Sequence, residues 1–309
     1  MAGIRSRFVF GAPSPQRWVL FCLAATWIAA QVHPARAEER PPLKLAWEKN
    51  ILTISGPHLP GKVMRILYIE AYCRPNSHTT DWGKHTVIGH TTRLDQVSDG
   101  GQRLELTCEL KDGVVVKHVI TSTADEVDFR LTAHNPTNVA SEAHWAQPCV
   151  RVGEFTGLGD PANPRTYEYL NRSFVFIDGR LERMPTADWA TAARYTPGQV
   201  WAAPSVPRAD VNPRPLNRHT PSNGLIGCFD ADEKTIFATA WQPYQELFQG
   251  VITCLHSDFR IGGLQPDETK EIRGKIYIVP ADVPKLLERY GRDFPEHGKS
   301  AGREPSSGN

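Results

Sequence analysis

The stretch LELTCELKDGVVVKHVITSTADEVDFRLTAHN, residues 104–135, alternates apolar and polar side chains over three successive segments. In the first segment Leu104, Leu106, Cys108 and Leu110 fall on one side, and glutamate and threonine residues fall on the other. A period of two is typical of strands with one buried face, and the sequences KDG and TSTAD between the segments are typical of turns. The stretch therefore predicts three antiparallel strands, with Cys108 in the core.

The same alternation recurs from residue 44 to about residue 280. Strands are also predicted at residues 44–48, 51–56, 62–73, 173–178, 224–230, 235–241, 250–256 and 271–279. Ten or more strands at this spacing indicate an all-β fold, a large antiparallel β-sandwich in a single domain. Capping residues and a terminating glycine predict only two short peripheral helices, at 186–198 and 282–291.

Residues 1–37 have the pattern of an export signal. Arginines precede the apolar run at 19–30, and the sequence Ala-Arg-Ala at 35–37 resembles a cleavage site. The apolar run is shorter than the roughly 20 residues that a membrane-spanning helix needs. We therefore expect an exported protein, periplasmic or extracellular, with a folded domain at 38–295 and a disordered polar tail at 296–309.

Charge and cysteine content narrow the function classes. Removing 1–37 leaves 31 basic residues (35 minus four arginines) against 34 acidic ones, a net charge near −3. This interspersed charge argues against a nucleic-acid partner, and no later segment is apolar enough for a membrane span. The five remaining cysteines lack zinc-finger spacing, so structural thiols or one or two disulfides are expected, with no cofactor and no metal.

Polar and aromatic residues break the strand pattern in HNPTNVASEAHWAQPC, residues 134–149. His134 emerges at the end of a predicted strand, and His144, Gln147 and Arg151 follow around a tryptophan. Such a group suits a sugar, because an aromatic ring stacks on the apolar sugar face while polar groups bond its hydroxyls. The alternative is that these residues only mark a strand end.

A second group lies near the C-terminus. Cys254 and His256 share a face of one predicted strand, and Asp258 follows two residues later. Two interpretations fit His256: a general base that titrates near neutral pH, or a structural histidine held by Asp258. Trp241 ends another strand, either at a rim that contacts a ligand or in the core.

The segment 197–224 contains six prolines and no strand pattern. A loop of this length in a compact domain is usually functional or disordered. Its tryptophan and basic residues, Arg218 among them, favour a loop folded over a binding site. The alternative is an elaborate surface connection.

Two stretches resemble the galactose mutarotase-like supersandwich proteins, which include aldose 1-epimerases and polysaccharide lyases. FRLTAHNPTNVASEAHW, residues 129–145, is similar to the segment that carries the general acid of the epimerases, and the matching histidine is His144. CLHSDFRIGGLQPDETKEIRGKIYI, residues 254–278, is similar to the segment that carries the general base. The family has a glutamate there, whereas this chain has His256.

The resemblance implies a β-supersandwich that acts on or binds carbohydrate. One hypothesis is acid/base chemistry on a sugar or uronide, epimerase-like or lyase-like, with His144 and His256 as catalytic proton-transfer groups. The predicted substrate-binding residues are Gln147, Arg151, Trp241, His134, Asp258 and Arg218. The alternatives are a non-catalytic carbohydrate-binding domain and a structural or interaction protein.

Overall fold

Two antiparallel sheets pack face to face in the computed structural model. The structure describes Gly11 and residues 40–77, 80–159, 167–187, 189, 199–212, 215–250 and 252–299. Its strands are β1 (Lys44–Glu48), β2 (Ile51–Ser55), β3 (Val63–Cys73), β4 (Val87–Ile88), β5 (His90–Val97), β6 (Arg103–Leu110), β7 (Val115–Ser122), β8 (Glu126–His134), β9 (Trp145–Arg151), β10 (Ser173–Ile177), β11 (Arg180–Arg183), β12 (Val200–Ala202), β13 (Ile226–Phe229), β14 (Thr235–Gln242), β15 (Tyr244–Gln249), β16 (Cys254–Arg260) and β17 (Thr269–Pro280). Its helices are α1 (Trp82–His85), α2 (Gly153–Thr156), α3 (Val283–Asp293) and α4 (Pro295–Lys299).

Sheet A has eight strands and sheet B has nine. The order in sheet A is β1-β2-β3-β9-β16-β15-β12, with β4 paired to β3, and in sheet B it is β11-β10-β13-β14-β17-β8-β7-β6-β5. The strands pair antiparallel throughout the described parts of both sheets. The predicted all-β antiparallel sandwich is therefore confirmed.

The stretch that predicted the fold forms β6, β7 and β8 in sheet B. Leu104, Leu106 and Cys108 are at most 1% exposed, as their alternation predicts. Between the sheets, His118 of β7 is hydrogen bonded to the hydroxyls of Tyr68 and Tyr72 from β3, with O–N distances of 2.8 and 3.2 Å. The core between the sheets is thus mainly apolar, and His118 makes polar contacts across it from sheet to sheet.

The C-terminal helix prediction is confirmed and the tail prediction is wrong in part. Helix α3 begins after Asp282, whose side chain accepts a hydrogen bond from the backbone N–H of Lys285, and it packs Leu286 and Tyr290 against sheet B. The expected disordered tail instead starts with α4, because His297 is buried there and hydrogen bonded to Tyr290.

Two predictions fall mostly outside the described residues. The export signal at 1–37 lies there except for Gly11, and so does the predicted helix at 186–198 except for residues 186, 187 and 189, which are not helical. In the described part of the chain, every helix is too short or too polar to cross a bilayer.

The proline-rich segment covers the outer face of sheet A, the face that points away from sheet B. The backbone N–H of Ala203 donates to the carbonyl of Gln245 in β15 at 2.9 Å. The Asp210 carboxylate lies 3.4 Å from the guanidinium of Arg260 in β16. The Ala203 bond extends the pairing of edge strand β12 with β15, whereas the Asp210 contact places that side chain against the polar face of β16.

Candidate functional site

Alternate residues of β9 and β16 present polar side chains on the outer face of sheet A. These residues are Gln147, Cys149 and Arg151 in β9 and Cys254, His256 and Asp258 in β16. The antiparallel register pairs Cys254 with Arg151, and since side chains alternate along a strand, both sets face the same side. A pocket of about 360 Å³ opens on this surface and is hereafter called the outer-face pocket.

Two thiols and an imidazole form the floor of the outer-face pocket. The Sγ of Cys254 lies 3.4 Å from Nε2 of His256, and the ligand atoms of Cys149, Cys254 and His256 all lie within 4.8 Å of one another. The other ring nitrogen of His256, Nδ1, lies 3.6 Å from the carboxylate of Asp258. Phe248 of β15 stacks on the imidazole with ring centroids 4.3 Å apart.

Electrostatics in this floor favour opposite charges on Cys254 and His256. Burial alone lowers the pKa of His256, but the Cys254 thiolate and the Asp258 carboxylate outweigh it and raise the pKa to about 10. Burial alone raises the pKa of Cys254, but a hydrogen bond with Cys149 and the charge on His256 lower it to about 5. The hydrogen bond with Cys254 and burial raise the pKa of Cys149.

The pocket walls carry hydrogen-bonding groups and an aromatic ring. Asn212, in the proline-rich segment, is 6% exposed, and its backbone N–H donates to both carboxylate oxygens of Glu246 at 3.1 and 2.9 Å. The side-chain oxygen of Asn212 has no hydrogen-bond partner among the described residues. Glu70 of β3 and the half-buried Trp82 of α1 line the same pocket.

His144 belongs to a different cluster. Its Nδ1 lies 3.8 Å from the Asp210 carboxylate, which also lies next to Arg260. Burial and the positive charge of Arg260 lower the pKa of His144, against the opposing effect of Asp210. The floor of the outer-face pocket does not include this imidazole.

The predicted pairing of His144 with His256 stays a prediction, because the described contacts place the two imidazoles in separate clusters. His144 precedes β9, and its carbonyl accepts a hydrogen bond from the backbone N–H of Ile261 at 2.7 Å, so it lies beyond the far end of β16. Arg260, near His144, is four residues along β16 from His256, which corresponds to about 13 Å at 3.3 Å per residue.

Trp241 and Asp258 are predicted to contact a ligand and are buried instead. Trp241 is 2% exposed, with its ring centroid 4.8 Å from that of Phe259 and 5.1 Å from that of Phe129. Because both of these rings belong to the core, Trp241 packs in the core as well, and the prediction that it lies at a ligand-contacting rim is wrong. Asp258 is fully buried and contacts His256 rather than the pocket.

The remaining predicted residues divide between the pocket and the surface. Gln147 and Arg151 line the outer-face pocket. His134 ends β8 in sheet B and is hydrogen bonded to the Thr269 hydroxyl at 2.9 Å, and Arg218 is exposed beside its neighbour in the chain. Neither of these two side chains lines the outer-face pocket.

Sequence reasoning missed Glu70, Trp82, Asn212 and the contribution of Cys149. Strand β9, WAQPCVR, is absent from the predicted strands, although Gln147, Cys149 and Arg151 alternate there with alanine, proline and valine. That alternation was the available signal for Cys149. Glu70, Trp82 and Asn212 come from β3, α1 and the proline-rich segment, and their approach to the site depends on the tertiary fold.

The fold and site define an all-β, two-sheet sandwich with a polar pocket on the outer face of one sheet. Solved structures with a similar chain course include the Slr1438 protein from Synechocystis sp. PCC 6803, at 10% identity and a TM-score of 0.41, covering 78% of this chain and 96% of that one. A putative aldose 1-epimerase from Escherichia coli K12 matches at 11% identity and a TM-score of 0.41, covering 76% and 98%.

A galactose mutarotase-like protein from Lactobacillus casei ATCC 334 matches at 6% identity and a TM-score of 0.38, covering 76% of this chain and 99% of that one. No family model and no curated protein matches the chain. At such identities and TM-scores, the chemistry of the outer-face pocket has to be inferred from its own side chains.

Proposed function

We propose that this protein is exported and binds a carbohydrate in the outer-face pocket. The observation that carries the proposal is the Asn212 side-chain oxygen, which is buried in the pocket wall without a partner among the described residues. A buried amide oxygen is costly unless a donor reaches it, and a sugar hydroxyl supplies such a donor. This unsatisfied oxygen supports a role for Asn212 in recognising a polyol.

The rest of the lining supports the same ligand class. Trp82 and Phe248 provide apolar ring surface, whereas Gln147, Arg151 and Asn212 provide donors and acceptors. Mixed aromatic and polar walls match the two faces of a pyranose ring, and a pocket of about 360 Å³ lies within the range of small-molecule sites. Arg151 also favours a sugar that carries a carboxylate, because guanidinium binds carboxylate with two parallel hydrogen bonds.

The proposal is for binding, without joint acid/base chemistry by His144 and His256. The two histidines belong to separate clusters, and a proton donor and acceptor must both reach the same substrate. Polarimetry on free aldoses and absorbance of the unsaturated product from uronide polymers measure turnover separately. Turnover that persists in both His144→Ala and His256→Ala would assign the reaction to other side chains.

Calorimetric titration with neutral and acidic sugars tests the binding site. We expect Asn212→Ala and Trp82→Ala each to weaken sugar binding about tenfold, from the loss of one hydrogen bond or one ring contact of about 1.4 kcal/mol. The side-chain change at Asn212 leaves its backbone contact with Glu246 intact. His134→Ala, outside the pocket, is the matched control and should bind as wild type does. The absence of sugar binding by wild type, or unchanged binding by both pocket variants, would contradict the proposed sugar site.

Export is tested by sequencing the N-terminus of the protein recovered from its producing cell. We expect the mature chain to begin at Glu38, directly after the Ala-Arg-Ala sequence. A protein that retains residues 1–37 in the cytoplasm would contradict this part of the proposal.

A further inference from the structure

Two cysteines and a histidine from neighbouring strands meet at the floor of the outer-face pocket. We propose that Cys149, Cys254 and His256 form a binding site for a thiophilic divalent cation, with Zn²⁺ the best fit. Their ligand atoms lie within 4.8 Å of one another, and the distance from Cys254 Sγ to His256 Nε2 is 3.4 Å. In tetrahedral zinc geometry, bonds of about 2.3 Å to sulfur and 2.05 Å to nitrogen place these atoms about 3.6 Å apart. The observed spacing is therefore close to that of a chelating pair.

The surroundings of His256 are those of a metal-binding histidine. Its Nε2 faces Cys254, and its Nδ1 faces the fully buried Asp258 carboxylate at 3.6 Å. A carboxylate behind a ligating imidazole fixes the ring orientation and increases its basicity, an arrangement common at zinc sites. The stacked ring of Phe248 restricts the imidazole further. One ring nitrogen is thereby directed toward the thiols.

The donor set determines which metal fits. Two thiolates and one imidazole select zinc and similar cations over magnesium and calcium, which prefer oxygen ligands. Three protein ligands leave the fourth tetrahedral position open, as in zinc sites that bind water or substrate there. All three ligands line the outer-face pocket, so the open position faces the space available to a small molecule.

Metal binding does not depend on the proposed sugar binding, and the two are measured separately. Zinc content is determined by elemental analysis of the purified, thiol-reduced chain after addition and removal of excess zinc. We expect one equivalent in wild type. Cobalt(II) serves as the spectroscopic probe, because thiolate-to-cobalt charge transfer in the near ultraviolet reports directly on sulfur ligands. These readouts remain valid whether or not any sugar binds.

Variants separate direct ligands from a positioning residue. We expect Cys149→Ser, Cys254→Ser and His256→Gln each to weaken zinc binding at least a hundredfold. Asp258→Asn should weaken it about 10- to 100-fold while keeping the cobalt–thiolate bands, because Asp258 acts through His256. Cys228→Ala, which removes a buried thiol from sheet B, is the matched control and should retain one equivalent.

Circular dichroism shows whether each ligand variant folds. If a variant does not fold, the cobalt spectrum and zinc content of the wild type still test whether the site exists. Thiolate bands together with one equivalent of zinc in the reduced wild type support the site. Less than about a tenth of an equivalent, or a cobalt spectrum without thiolate bands, overturns it. Full zinc affinity in folded Cys254→Ser and His256→Gln overturns it as well.

Discussion

Two buried histidines in this molecule have opposite electrostatic character. His118 in sheet B is 1% exposed and contacts the hydroxyls of Tyr68 and Tyr72. Burial lowers its pKa to about 3, so the ring stays neutral at physiological pH. It connects the two sheets through the core.

His256 in sheet A is 2% exposed, yet its neighbours are a thiol and a carboxylate. The Cys254 thiolate and the Asp258 carboxylate raise its pKa to about 10 despite burial. Its ring lines a pocket, whereas the ring of His118 lies between two sheets.

The degree of burial therefore does not distinguish a structural histidine from a functional one. The two differ in the polarity of their partners and in the face of the sheet they occupy. A neutral histidine with neutral hydroxyl partners fits a role in stability, whereas one beside soft and anionic ligands at a pocket fits a role in binding. Each role has a separate measurable consequence.

The largest expected effect is the loss of stability on removing the core histidine. His118→Leu conserves approximate volume but leaves the Tyr68 hydroxyl buried without its partner, so we expect the free energy of unfolding to fall by about 3 kcal/mol. Urea denaturation measures this value. His134→Leu, at a more exposed site, should change it by less than about 0.5 kcal/mol. Equal free energies of unfolding for wild type and His118→Leu would contradict a structural role for His118.

The next effect is a loss of stability in acid. The folded-state pKa of His118, about 3, lies below the ordinary value of 6.5, so the unfolded chain binds more protons between these pH values. Stability therefore falls as pH decreases below about 6.5, by about 2.5 kcal/mol between pH 7 and 4.5 from this group alone. Urea titrations of wild type and His118→Gln at both pH values isolate the contribution. The same change of unfolding free energy with pH in both proteins would show that His118 does not cause the loss of stability in acid.

The smallest effect concerns one hydrogen bond. Tyr68→Phe removes the hydroxyl that lies 2.8 Å from Nδ1 of His118, and we expect a cost of about 1 kcal/mol in the free energy of unfolding. The cost should largely disappear when His118 is already leucine, because the interaction is then absent. A double-mutant cycle by urea denaturation measures this coupling. Additive costs would show that the two rings act independently.

Sheet B was more readily predicted from the sequence than the centre of sheet A. Strands β6, β7 and β8 have one buried face, so their polar and apolar residues alternate visibly. Strands β9 and β15 are buried along both faces. In β15 the buried glutamine and glutamate residues conceal the alternation, whereas in β9 the alternating residues are polar ones that are buried on the outer face.

The candidate site was only partly predictable for the same reason. Gln147, Arg151 and His256 were recognised from their residue types and strand positions. The proximity of Cys149 to Cys254 depends on the pairing of β9 with β16, which no local spacing contains. The wall residue Asn212 depends on the path of the proline-rich segment, of which the sequence indicated only that it folds over a site.

We expect Cys149, Cys254 and His256 to hold zinc at the floor of the outer-face pocket. X-ray absorption at the zinc edge of the thiol-reduced, zinc-loaded protein identifies the ligand atoms. We expect two sulfur ligands at about 2.3 Å, one imidazole nitrogen at about 2.0–2.1 Å and one further light atom. A first shell of nitrogen and oxygen alone would contradict it.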